Sequence, residues 1–127
     1  VKYYDTLDAA DPWKSYRPSG TANDLAAIDM AMGIWVHATA NCTLTVQGGI
    51  QPTTQITLYA GWNLVGYPSQ TEMAVADALW GTGADRVEVF DPASPTLIMP
   101  VGPGYIMRAG EGYWVHVVAD SVWSIDW

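Results

Sequence analysis

The residues able to do acid–base or metal chemistry are few and widely spaced. His37 and His116 are the two histidines, and each ends a Gly-x-Trp-Val-His stretch, at residues 33–37 and 112–116. Two histidines with one carboxylate would suit a transition metal. No His-Glu-x-x-His spacing is present. The preferred interpretation is therefore a strand histidine that hydrogen-bonds a backbone group or a carboxylate.

Three carboxylates, Asp5, Asp8 and Asp11, recur at intervals of three residues in one segment. Clustered carboxylates favour calcium, but calcium loops of the EF-hand type alternate Asp at every second position before a Gly. That alternation is missing here. Turn capping and solvated charge are the preferred explanation. We expect no cofactor, and calcium remains the alternative.

The sequence lacks the residue arrangements that nucleophilic catalysis and glycoside hydrolysis usually require. Cys42 is the single cysteine and has no evident activating base, so we interpret it as a buried small residue. Glu72, Glu88 and Glu111 are the three glutamates, and no Gly-x-Ser-x-Gly or phosphate-binding glycine loop occurs. The sequence therefore predicts a protein that is not an enzyme.

Aromatic residues in loops are the best candidates for ligand contact. Trp13, Tyr16 and Tyr105 lie in segments rich in Pro and Gly, and Arg17 follows Tyr16. Aromatic planes offer apolar contact to the faces of a neutral sugar, while neighbouring polar groups can bind hydroxyls. The alternative is that these rings cover the open ends of a small barrel.

Composition excludes several classes of partner. The 127 residues contain 13 acidic and 5 basic side chains, with a net charge of −8. Such a charge argues against nucleic acid and against anionic membrane surfaces. No apolar run approaches the roughly 18 residues that a membrane-spanning helix needs. Half of the residues are hydrophobic, so one folded domain over 1–127 is expected.

An internal repeat organises the chain. Residues 33–37 and 112–116 match at an offset of 79, and Val1–Asp5 matches Val87–Asp91 at an offset of 86. We divide the domain into a partial repeat over 1–50 and a full repeat over 51–127. The repeat predicts the same strand–turn–strand over 33–46 and 112–125. It also predicts a buried core whose members are Trp35, Val36, Leu64, Trp114 and Val115.

Two short helices are expected beside the strands. Ser69 and Glu72 form a capping box that predicts a helix from about Gln70 to Trp80. Asn23 is expected to cap a weaker helical turn that ends at Gly33. The fold class predicted is mainly β, a compact sandwich or barrel of two pseudo-repeats with one or two short helices. The first repeat lacks a leading strand, so we expect residues 55–68 to cover its sheet edge within a monomer.

The order of motifs resembles a known family. Gly-Trp-Asn-Leu-Val-Gly-Tyr-Pro-Ser at 61–69 precedes a short helix, and Gly-Tyr-Trp-Val follows at 112–115. Together with Asn-Asp-Leu at 23–25, these motifs resemble a repeat module found near the C-termini of secreted bacterial and archaeal surface proteins. Some of these modules accompany polysaccharide-degrading enzymes. The resemblance implies an extracellular, non-catalytic accessory part of a larger polypeptide.

These observations favour a secreted accessory module that binds polysaccharide through Trp13, Tyr16, Arg17 and Tyr105. The alternative is a structural or cell-surface spacer, or a protein-interaction domain, without a small ligand. Because the chain begins at Val1, we expect it to be a piece of a larger parent polypeptide.

Overall fold

The computed structural model describes residues 1–45, 47–49 and 51–127. Its regular elements are mostly strands, in this order along the chain: β1 Lys2–Tyr4, β2 Trp13–Ser15, β3 Thr53–Leu58, β4 Gly61–Gly66, β5 Met73–Ala74, α1 Val75–Ala78, β6 Ala84–Phe90, β7 Ile98–Val101, β8 Ile106–Met107, β9 Gly112–Val117 and β10 Ser121–Asp126. The predicted mainly β class is confirmed. In the described part of the chain the sheets are antiparallel and form a sandwich-like arrangement without a closed barrel.

Two sheets enclose the core. The larger has the order β4-β9-β6-β7, and the smaller pairs β10 with β3. Side chains alternate on β9, so Tyr113, Val115 and Val117 are fully buried while Trp114 and His116 point to the opposite face. Ile56 and Trp123 contribute to the same core cluster from the smaller sheet. The core therefore lies between the two sheets.

Asn63 stabilises the turn that separates β3 from β4. This residue is buried, and its side-chain amide donates to the carbonyl oxygens of Tyr59, at 2.8 Å, and Gly61, at 3.2 Å. Its Oδ1 accepts the Tyr59 N–H at 2.9 Å. Gly61 has a φ of 106°, which glycine adopts without steric cost. The Gly-Trp-Asn sequence thereby turns the chain from one sheet into the other.

Residues 1–35 pack against the outer face and the free edge of the larger sheet. Met32 forms a bridge to Val65 of β4, and the Gly33 N–H donates to the Leu64 carbonyl at 3.3 Å. Trp35 forms a bridge to Lys2 of β1. Residues 32–33 thus cover the edge of β4 from within the chain. That residues 55–68 cover a sheet edge of the first repeat stays a prediction.

The turns of the β1–β2 and β6–β7 hairpins begin in the same way. The residue after the first strand is an aspartate in both, and its N–H donates across the turn: Asp5 to Pro12 at 2.7 Å, and Asp91 to Leu97 at 3.0 Å. The two carboxylates each accept the N–H two residues further on, at 3.0 and 2.9 Å. Both are therefore Asx turns, although the second connection, 91–97, is one residue shorter than the first, 5–12.

Several local predictions are wrong. Residues 34–45 form no strand beyond the single bridge of Trp35, so the strand–turn–strand of 112–125 is not reproduced there; Val46 lies outside the described residues. No helix forms over 23–33. The helix predicted for 70–80 is limited to Val75–Ala78, and its N-cap Ala74 makes no side-chain hydrogen bond. Ser69 instead accepts the Thr71 N–H at 3.1 Å.

Burial corrects the predicted core at three positions and also the interpretation of Cys42. Leu64 and Val115 are buried, as predicted. Val36 is 51% exposed, and Trp35 and Trp114 are only partly buried, because all three lie outside the inter-sheet core. Cys42 is exposed, contrary to our interpretation of it as a buried residue, because its segment makes no sheet contact in the described chain.

Candidate functional site

A groove of about 870 Å³ contains most of the predicted binding residues. We call it the aromatic groove. Trp13, Tyr16 and Arg17, three of the four predicted binding residues, lie along it. Its remaining lining residues are Val1, Lys2, Ser15, Pro18, Trp35, Val36, His37, Thr39, Phe90 and Leu97.

One wall of the groove contains Trp13, which lies on strand β2 and not in a loop as predicted. Its ring makes edge contacts with Tyr4, at 5.3 Å between centroids, and with Trp114, at 5.8 Å. These contacts hold the indole in place while 40% of the residue stays exposed. Tyr16 follows directly after β2 and is 44% exposed. A ring that is held by others and still exposed is suited to stacking on a ligand.

The groove is also lined by a pair of rings that the sequence did not single out for binding. Trp35 and Phe90 lie at a centroid distance of 5.3 Å and an interplanar angle of 88°. Phe90 is 55% exposed because it ends β6 on the face opposite the buried Val87 and Val89. Alternation along β6 was the signal that could have identified Phe90 as a surface residue.

Leu97 lies at the same groove with a strained backbone. Its φ is 61°, and in the described chain it is the one non-glycine residue with positive φ. Bulky residues avoid this region at a cost of about 1–3 kcal/mol, and such strain tends to occur at functional sites. Two turn hydrogen bonds, to Ser94 and from Asp91, hold the strained conformation.

Tyr105 lies apart from the other three predicted residues. Its ring packs against the core and makes an edge contact with Tyr113, at 6.5 Å between centroids. Tyr113 projects from the core face of β9, whereas Trp114 of the opposite face contacts Trp13. Tyr105 and Trp13 therefore lie over opposite faces of the same sheet, and Tyr105 does not line the groove.

Two cations at the groove have no carboxylate partner among the described residues. Lys2 Nζ lies 6.0 Å from the centre of the Trp13 ring, and Arg17 is exposed at the groove. The basic residues Lys14 and Arg108, by contrast, are paired with Asp8 at 2.6 Å and Glu72 at 3.3 Å. The groove lining contains no aspartate or glutamate. Asp24 is nearby, but its carboxylate accepts the Ser15 N–H at 2.6 Å.

Among the predicted chemical residues, His37 is exposed at the groove and lies on no strand, so its prediction as a strand histidine is wrong. The others lie outside the groove. His116 Nδ1 is 2.6 Å from Asp85 Oδ1, as expected for a strand histidine with a carboxylate partner. This contact holds the pKa of Asp85 below its usual range. Asp8 accepts the N–H groups of Ala10 and Asp11 as well as the Lys14 ammonium. The Lys14 hydrogen bond is the main cause of the lowered pKa of Asp8.

Among the described residues, no group of three potential ligands lies close enough to hold a metal ion. No helix there has the length and apolar character needed to span a bilayer. No protein-family model matches the chain, and neither a curated protein nor a solved structure is significantly similar to it.

Proposed function

We propose that the protein is a non-catalytic module that binds polysaccharide in the aromatic groove. The observation that carries this proposal is the meeting of Trp13, Tyr16 and Arg17 with Trp35 and Phe90 around one groove. Exposed rings along the groove can stack on the apolar faces of sugars, and this contact requires no cofactor. Because the groove is open to solvent, it can bind internal sugars of a polysaccharide as well as its terminal sugars.

An extracellular position within a larger secreted polypeptide fits this role. Its support is the motif resemblance at 61–69 and 112–115. The matching Asx turns after β1 and β6 support an origin of the two halves from one unit. Contacts between the two halves add to this support. Tyr4 of the first half contacts Trp114 of the second at 5.0 Å, and their sequence equivalents, Phe90 and Trp35, contact each other at 5.3 Å. Weak single sites gain affinity when several modules are joined.

Calorimetry with neutral and charged polysaccharides tests the proposal. Trp13→Ala should weaken binding by about fivefold or more, because the stacking of a planar ligand group on an aromatic side chain contributes roughly 1–3 kcal/mol, as for nucleic-acid bases. Trp80→Ala is the matched control, since Trp80 is 87% exposed and lies outside the groove. It should bind like the wild type. The absence of heat with every polysaccharide, or equal losses in both variants, would contradict the proposal.

A protein-contact or spacer role is the second candidate. The observation in its favour is the exposed apolar rim of the groove, where Val36, Phe90 and Leu97 are each about half exposed. Such a surface suits burial against another protein surface, for example an adjoining part of the parent polypeptide. This candidate predicts no polysaccharide binding, and a Phe90→Ser change that weakens the protein contact.

A further inference from the structure

The aromatic groove differs in charge from the rest of the molecule. The chain has 13 acidic and 5 basic residues, yet the groove is lined by Lys2 and Arg17 without any acidic residue. Neither cation has a salt bridge to the described residues, whereas Lys14 and Arg108 do. Two of five basic side chains are thus left free at the surface that holds the exposed rings.

We propose that the groove selects polysaccharides that carry carboxylate groups, with Lys2 and Arg17 binding the uronate carboxylates and the rings stacking on the sugars. This inference rests on the proposed function and names its substrate class. Guanidinium groups bind carboxylates through two parallel hydrogen bonds, and ammonium groups bind them as point charges. The position of Lys2 beside the Trp13 ring places a cation next to a stacking surface.

The overall negative charge limits the density of charge that the ligand can carry. Exposed charges more than about 8 Å apart are largely screened at physiological ionic strength, so the two groove cations act on a ligand in contact with them. A chain with one carboxylate per sugar meets these cations with modest repulsion from the rest of the surface. A densely sulfated chain brings more negative charge within this distance of the acidic residues around the groove, and it is therefore repelled more strongly. The structure therefore favours uronate over heavily sulfated chains.

The test compares uronate polymers with neutral forms of the same backbone. Polygalacturonate and alginate are titrated beside their methyl esters, and cellulose sulfate and poly-L-glutamate complete the panel. The wild type should bind the free acids at least several-fold more tightly than the esters. Raising the salt from about 50 to 500 mM should weaken binding to the acids and leave the esters nearly unchanged.

The double variant Lys2→Gln/Arg17→Gln should lose about three- to thirtyfold in affinity for the acids, since each exposed charge contact contributes up to roughly 1 kcal/mol. Arg86→Gln/Arg108→Gln removes the same charge outside the groove and should bind like the wild type. Circular dichroism checks that each variant is folded. If the Lys2→Gln/Arg17→Gln variant is not folded, the salt dependence of the wild type still tests the inference.

Each result decides between separate conclusions. Equal binding of acids and esters that depends on Trp13 would overturn the charge selection and leave the proposed function standing. No binding of any polysaccharide would overturn both. Equal losses in the two double variants would show a general charge effect and overturn the assignment of Lys2 and Arg17. Poly-L-glutamate binding as tight as that of the uronates, or preferred binding of cellulose sulfate, would overturn the uronate assignment.

Discussion

Tyr113 couples the core to the surface through its hydroxyl group. The side chain is fully buried, yet its Oη donates to Glu111 Oε2 at 2.6 Å and accepts the Arg108 N–H at 2.9 Å. Burial, and after it the hydrogen bond to Glu111, raises the pKa of Tyr113 well above its ordinary value. Ionisation would place a buried phenolate beside a carboxylate, so the folded state favours the neutral hydroxyl.

The sign of the pH dependence follows from the raised pKa. Stability from the neutral Tyr113 hydroxyl is fully present below the ordinary tyrosine pKa of 10.0. It is lost progressively as the pH rises above that value, because the unfolded chain ionises first. Urea unfolding at a series of pH values from 7 to 11 should show the decline.

Tyr113→Phe separates this residue from the other tyrosines. At pH 7 it should lower the free energy of unfolding by about 1–2 kcal/mol, since the Arg108 N–H loses its acceptor. Its stability should then fall less steeply above pH 10 than that of the wild type. Some decline remains, because burial also raises the pKa of Tyr3. Parallel curves for the two proteins would show that Tyr113 does not contribute to the alkaline loss.

At the scale of elements, the docking of the first half onto β4 depends on close backbone approach. A Cβ at Gly33 would lie 2.6 Å from the Val65 carbonyl oxygen, and one at Gly66 would lie 3.0 Å from that of Met32. These are backbone atoms and cannot move aside as a flexible side chain can. Glycine is therefore required where the two chain segments cross.

Gly33→Ala should separate the first half from the edge of β4. We expect a loss of about 1–3 kcal/mol in the free energy of unfolding, the usual range for overpacking. Gly48→Ala is the matched control, because a Cβ at Gly48 meets nothing within 4 Å. Urea denaturation of both variants measures the difference. Equal stability of the two variants would contradict the close approach at Gly33.

At the scale of the whole molecule, the exposed sheet edges determine whether copies associate. The edge of β4 is covered by Met32 and Gly33, and the outer strand β7 contains Pro100, which cannot donate a ladder hydrogen bond. Both features oppose edge-to-edge pairing. We therefore expect a monomer, with light scattering at micromolar concentration giving the mass of one chain. A stable dimer would indicate that another edge pairs between copies.

The sequence by itself determined the mainly β class. Alternation separated Tyr113, Val115 and Val117 from Trp114 and His116, but both faces of this strand are apolar, and Trp114 was predicted to be buried. The structure shows that the core face is the one with Tyr113, Val115 and Val117. The offset of 86 residues matched Val1–Asp5 with Val87–Asp91, and these segments contain the first strands of two hairpins. The pairing with β2 was not predicted, because its residues were assigned to a loop. Local hydrogen bonds of Asp5 and Asp91 cap the turns that follow the two first strands.

Tertiary structure alone decided which aromatic residues stay exposed and which of them meet. Trp35 matches Trp114 in sequence, yet only packing shows that one contacts Phe90 at the groove while the other supports Trp13. Tyr105 and Trp13 looked alike in sequence but lie over opposite faces of a sheet. The predicted capping box at Ser69 does not start a helix, because β5 pairs with β8 where the first helical turn was expected. Long-range pairing determines these outcomes, because its partners are tens of residues apart in the chain and local propensity carries no information about them.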